Sequence, residues 1–108
     1  MEKIINIDGK DVKFKSTGAT TLRYKAQFGE DYFEEIVKMS KTLQEGKATM
    51  SNFNLDVFYK IVWILAKTAN KELPTYLEWY DEFDNFPIIE VATELQDLIQ
   101  STMVSKKK

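Results

Sequence analysis

LDVFYKIVWILAKTA, from Leu55 to Ala69, is the most apolar stretch of the chain, and its reading decides the fold. Its polar positions, Asp56, Lys60 and Lys67, fall near one narrow stripe of a helix, so most of the circumference asks for burial. Asn54 is a reasonable N-cap for it. A helix of this kind needs neighbours on almost every side, which makes residues 55–69 the expected centre of a core.

Toward the N-terminus, IINIDGKDVKFKST reads as a β-hairpin. Ile5 and Ile7 alternate with Asn6, Val12 and Phe14 alternate with Lys13 and Lys15, and Asp8-Gly9 supplies turn residues. A two-residue loop would set Ile5 opposite Val12. A four-residue loop would set Ile7 opposite Val12 and Ile5 opposite Phe14. Both registers put the same four residues on one face, and that face must pack on helices because a lone hairpin is marginal in water. After a small-residue connector, a helix is expected over about 21–28, stopped by Gly29. A second is expected over 31–44, with Asp31 and Glu34 at the spacing of an N-cap pair. Its apolar stripe is Tyr32, Ile36, Met39 and Leu43, with Phe33 and Val37 alongside, and Gly46 marks its end. Residues 45–54 read as a flexible loop.

Toward the C-terminus, Leu73-Pro74-Thr75 breaks the central helix, and Thr75 with Glu78 fits a capping box. A helix over about 75–85 and another over 87–103, opened by Pro87, complete the chain, with Lys106–Lys108 as a basic tail. The expectation is one α+β domain over 1–105, a hairpin over 3–15 packed on about five helices.

TYLEWYDEFDNFP, from Thr75 to Pro87, admits two readings. One is a carboxylate or metal site walled by aromatics; the other is a helix with two faces. At about 100° per residue, Tyr76, Trp79, Tyr80, Phe83 and Phe86 share an arc with Leu77 at its edge. Glu78, Asp81 and Glu82 lie opposite, and only Asp84 intrudes on the apolar side. Catalysis needs carboxylates that converge in a cleft, so this sorting favours core over site. Any of the five aromatics left exposed would be the first candidate for a partner surface.

Composition narrows the chemistry. The 108 residues suit one modest core, and 44% hydrophobic with 30% charged residues is ordinary for a globular chain. No apolar run reaches the ~18 residues of a membrane span, and the N-terminus lacks the pattern of a signal peptide, so an intracellular protein is expected. There is no cysteine and no histidine, which removes thiolate nucleophiles, the usual zinc sets and the commonest acid–base group. The expectation is a non-enzyme with no cofactor and no metal. Residues 1–71 carry 12 basic and 9 acidic side chains; residues 72–105 carry 8 acidic and no basic ones. That acidity argues against a nucleic-acid surface there. RYKAQFG, Arg23 to Gly29, mixes basic and aromatic residues but has no second basic strand or Gly-rich loop, so it reads as an amphipathic helix. DGKD, Asp8 to Asp11, lacks the ligand pattern of a calcium loop and reads as a turn.

The order of the pieces carries a resemblance. The hairpin DGKDVKFK, the Arg23-Tyr24…Phe28-Gly29…Asp31…Phe33 segment, the VWILAKTA helix and the EWYDEF segment are collinear, and together they span about Ile4 to Ile99. In that order they resemble the tail assembly chaperones of long-tailed phages and prophages of Gram-positive bacteria. The resemblance implies a late viral protein of the host bacterial cytoplasm, absent from the finished tail. It would bind the long apolar tape measure protein until the tail tube protein displaces it. It also implies a longer product made by ribosomal frameshifting, for which Lys106–Lys108 is suggestive. Because each copy must be weak enough to be displaced, many copies acting together are the expected design, and a homo-oligomer is one form this could take. The alternative is a small intracellular regulatory or adaptor domain of a mobile element, binding protein or nucleic acid.

Overall fold

The computed structural model describes residues 1–35, 37 and 55–101. Strands β1 (Glu2–Ile7) and β2 (Lys10–Lys15) form an antiparallel hairpin in which Ile5 pairs with Val12 and Ile7 with Lys10. Asp8 at φ 54° and Gly9 at φ 82° are both left-handed, the signature of the two-residue turn whose twist suits a hairpin. The local turn chemistry therefore selects the shorter of the two registers. Ile5, Ile7 and Phe14 are buried on the inner face and Val12 is half-buried.

Helix α1 (Thr20–Phe28) ends where expected: Gly29 adopts φ 73°, and its N–H closes on the Lys25 carbonyl. The chain re-enters helix at once. Asp31 accepts the Phe33 N–H on its carboxylate at 2.8 Å and the Glu35 N–H on its carbonyl at 3.2 Å, capping a helical segment at 32–35. The remainder of the helix expected over 31–44 apart from Val37, the 45–54 loop, the Asn54 cap and the basic tail lie outside the described residues.

Helix α2 (Leu55–Ala69) is the centre of the core, as its composition demands. Val57, Phe58, Ile61, Val62, Trp63, Ile64, Leu65 and Ala66 are all buried, and the hairpin, α1 and the C-terminal helices pack around it. Replacing a fully enclosed side chain here, such as Ile61, by alanine would cost about 3 kcal/mol. At its C-terminal end Lys67 crosses over to donate to the carbonyls of Lys71 and Leu73, both at 2.9 Å, and so fixes the exit of the chain.

The C-terminal part differs from the sequence reading in three ways. Helix α3 covers Tyr76–Asp81 only, not 75–85. Glu82 and Phe83 donate to carbonyls three residues back, which tightens the last turn, and the Asp84 N–H leaves the helix for the Asp8 carboxylate at 3.0 Å. Thr75 stands at the N-cap but makes no side-chain cap bond, so the capping box is not formed. The single helix expected over 87–103 is two: α4 (Ile88–Glu94), with Pro87 in the cap position, and α5 (Gln96–Ser101). The break has a local cause. The Leu98 N–H bonds the Asp97 carboxylate at 2.8 Å, and Leu95 shares its own N–H between Val91 and Ala92.

Candidate functional site

The aromatic residues of the 75–87 run lie over α2 in a continuous edge-to-face ladder. Tyr76 meets Phe28 at 5.3 Å between ring centres and Tyr80 at 5.7 Å; Tyr80 meets Tyr59 at 5.0 Å and Phe86 at 4.9 Å. Trp79 closes on Phe83 at 5.3 Å and on Phe86 at 5.6 Å. Near-perpendicular rings with centres 4.5–7 Å apart place positive edges on negative faces, which is the favoured packing of a core. Trp79 and Phe83 are buried, and Tyr76, Tyr80 and Phe86 are half-buried against the same core. None of the five is fully exposed, and only Tyr76, Tyr80 and Phe86 keep part of their surface open.

The polar ends are also occupied. The Tyr80 hydroxyl donates to the Tyr59 carbonyl at 2.6 Å, and the Tyr76 hydroxyl faces Asp56 at 3.5 Å. Burial pushes both phenols above their ordinary range, and the Asp56 charge adds to this at Tyr76. Lys60 lies in the same corner, 2.8 Å from Glu30, 3.3 Å from Asp56 and 5.4 Å above the Phe28 ring. Its hydrogen bond with Glu30 holds the ammonium above its usual range.

The acids do not converge. Glu78, Asp81, Glu82 and Asp84 are exposed, and Asp84 takes part through its backbone rather than its carboxylate. Among the described residues no group of three acids could hold a metal ion. What the structure brings together at this end is the hairpin turn. Lys10 donates to the Glu82 carbonyl at 3.0 Å and lies 5.0 Å above the Phe83 ring, beside an open cleft of about 330 Å³ that Asn70, Leu73 and Trp79 also line. A second groove, about 240 Å³, runs between α1 and α2 over Trp63 and Ile64, with Arg23 and Lys67 on its rim.

The side chains that do stand free are others. Leu77 is 71% exposed, Leu22 70%, Val37 53% and Phe33 51%. Phe33 and Val37 are one helical turn apart in sequence. Periodicity placed them beside the expected apolar stripe, but both are exposed, whereas Tyr32 turns inward against Tyr24 with ring centres 5.3 Å apart. The available signal was their angular offset from the line through Tyr32 and Ile36.

No described helix is long and apolar enough to cross a membrane. No protein-family model, no curated protein and no solved structure matches this chain.

Proposed function

We propose that this chain is a phage tail assembly chaperone that binds the tape measure protein by stoichiometric contact, without turnover. The observation that carries the reading is the collinear set of segments from the DGKDVKFK hairpin to EWYDEF. Supporting it, Tyr24, Tyr32, Trp63, Leu65, Ala66, Trp79 and Phe83 of those segments are buried in one core, so the likeness concerns residues that build the fold.

The physical logic is that of a cover. A very long apolar helical chain aggregates unless something shields it. A small domain with exposed apolar side chains can shield it helix against helix. Phe33, Val37, Leu22 and Leu77 are among the exposed apolar side chains available for that contact. Each copy must bind weakly so that the tail tube protein can displace it, which makes several copies per tape measure chain the workable arrangement. The reading places the protein in the host cytoplasm, with a frameshifted longer form as a second product.

Co-expression with a tape measure fragment is the test. The fragment becomes soluble and co-purifies with this chain if the reading holds. A fragment that stays insoluble and unbound across several boundaries overturns it. Tight, salt-sensitive DNA binding would instead favour the regulatory domain of a mobile element.

A further inference from the structure

The two lateral edges of the hairpin are unlike. Met1 and Ser16 exchange backbone bonds at 2.9 and 3.2 Å, so in the observed register the odd residues of β1 turn their backbone groups toward β2. Glu2, Ile4 and Asn6 therefore turn theirs to the open side, where no described group meets them. Their side chains share the solvent face of the sheet, and Ile4, in the middle, is 61% exposed. The β2 edge is guarded by Asp11, Lys13 and Lys15, the charges that keep a second chain away. The β1 edge has an apolar residue at its centre.

We propose that β1 pairs antiparallel with β1 of a second copy about Ile4, joining two hairpins into one four-stranded sheet. The proposal does not depend on the tail-assembly reading. What identifies the occupant as a second copy is the charge pattern the register creates. Ile4 meets Ile4, and Glu2 meets Asn6 of the other copy. The outer row then reads Lys15, Glu2, Asn6, Asp11, and every adjacent pair attracts. Lys15–Glu2 at 3.8 Å and Asn6–Asp11 at 2.9 Å already exist within each hairpin. The Glu2 carboxylate supplies an acceptor for the second N–H of the Asn6 amide. On the inner face Lys3 meets Ile5, and its charge is already held by Asp97 at 3.3 Å. The same operation on β2, about Lys13, sets Lys13 against Lys13, which is repulsive. A strand pair this short buries less than the ~1,600 Å² of a standard interface, so the dimer is weak and concentration-dependent.

The test uses the full chain in a sedimentation concentration series. The wild type should shift from monomer to dimer, and Ile4→Lys, which opposes two like charges at an exposed position, should weaken the dimer by about tenfold or more. Because the chain has no cysteine, single replacements report distance cleanly. Ile4→Cys should cross-link under mild oxidation, since paired residues lie ~5.5 Å apart, within disulfide reach. Lys13→Cys should not, because three strand spacings of ~4.8 Å separate the two copies. A wild type that stays monomeric throughout, a dimer that survives Ile4→Lys, or equal cross-linking of the two cysteine variants overturns the proposal. Capture of another protein's extended strand without self-association also overturns it. If Ile4→Lys does not fold, the two cysteine variants decide.

Discussion

The ammonium of Lys3 lies 2.7 Å from the carbonyl oxygen of Glu94, so the first strand holds the break between the last two helices. In one continuous helix that carbonyl would accept the Leu98 N–H, which here bonds Asp97 instead. Lys3 supplies the missing donor at a helix C-terminus, where a cation is also favoured by the helix dipole. Its ion pair with Asp97, itself 52% exposed, adds little. Lys3→Met keeps the stem and removes the donor. It should lower stability by about 1 kcal/mol in urea titration, with little dependence on salt.

Alkaline stability tests the tyrosine ladder. Tyr24, Tyr76 and Tyr80 all have folded-state pKa values raised above 10, with burial as the leading cause. The unfolded chain therefore releases these protons first as pH rises. Stability from this source is intact below pH 10 and is lost above it, each phenol contributing up to ~1.4 kcal/mol per pH unit. Tyr80→Phe should cost about 1 kcal/mol at neutral pH, the worth of its bond to Tyr59, yet should flatten the alkaline fall. A flat urea midpoint above pH 10 in the wild type would contradict the burial of these rings.

Tyr24 makes the opposite case at neutral pH. Its ring is fully enclosed, between Phe28 and Tyr32, and its hydroxyl has no hydrogen-bond partner among the described residues. Tyr24→Phe keeps the ring and removes a polar atom that folding strips of solvent without return. The variant should be neutral or stabilised by about 1 kcal/mol. A loss of that size instead would mean that the hydroxyl is bonded.

How far these features were legible depends on the range of the cause. The hairpin could be read because alternation and Asp8-Gly9 are both local. Its register could not be read from the apolar pattern, since Ile5, Ile7, Val12 and Phe14 share a face either way. The turn backbone decides it. The core position of Trp79 and Phe83 followed from helical spacing, but the early end of α3 did not. That end depends on Asp8, 76 residues away in sequence, taking the Asp84 N–H. The break at Leu95 was hidden for a different reason. Val91, Ala92, Leu95, Leu98 and Ile99 are buried on both sides of it, and no glycine or proline marks it. The outward turn of Phe33 and Val37 left only one sign in the sequence, their angular offset from the line through Tyr32 and Ile36, because apolar side chains at helical spacing otherwise read as core.

Gly29 isolates backbone strain from packing. It sits at φ 73°, and an added Cβ there would meet no atom within 4 Å. Gly29→Ala should therefore cost about 1 kcal/mol from the left-handed conformation alone. Gly29→Asn should cost less, because asparagine tolerates that region. Equal losses for the two would point to a steric cause that the open surroundings do not contain.

The exposed pair Phe33 and Val37 separates folding from partner binding. Both are about half exposed, so replacing them by serine removes little buried area and should move stability by no more than ~0.5 kcal/mol. If they cover a tape measure helix, the double variant should fold with an unchanged thermal midpoint and fail to keep that fragment soluble. Leu77→Ser on α3 tests a second candidate contact in the same way, since Leu77 is more exposed still. Loss of solubilisation in the first variant alone would assign the contact to the 32–37 segment; loss in Leu77→Ser alone would assign it to α3. Full solubilisation by both variants would remove these side chains from the binding surface. The groove over Trp63 and Ile64, rimmed by Arg23 and Lys67, would then be the next surface to test.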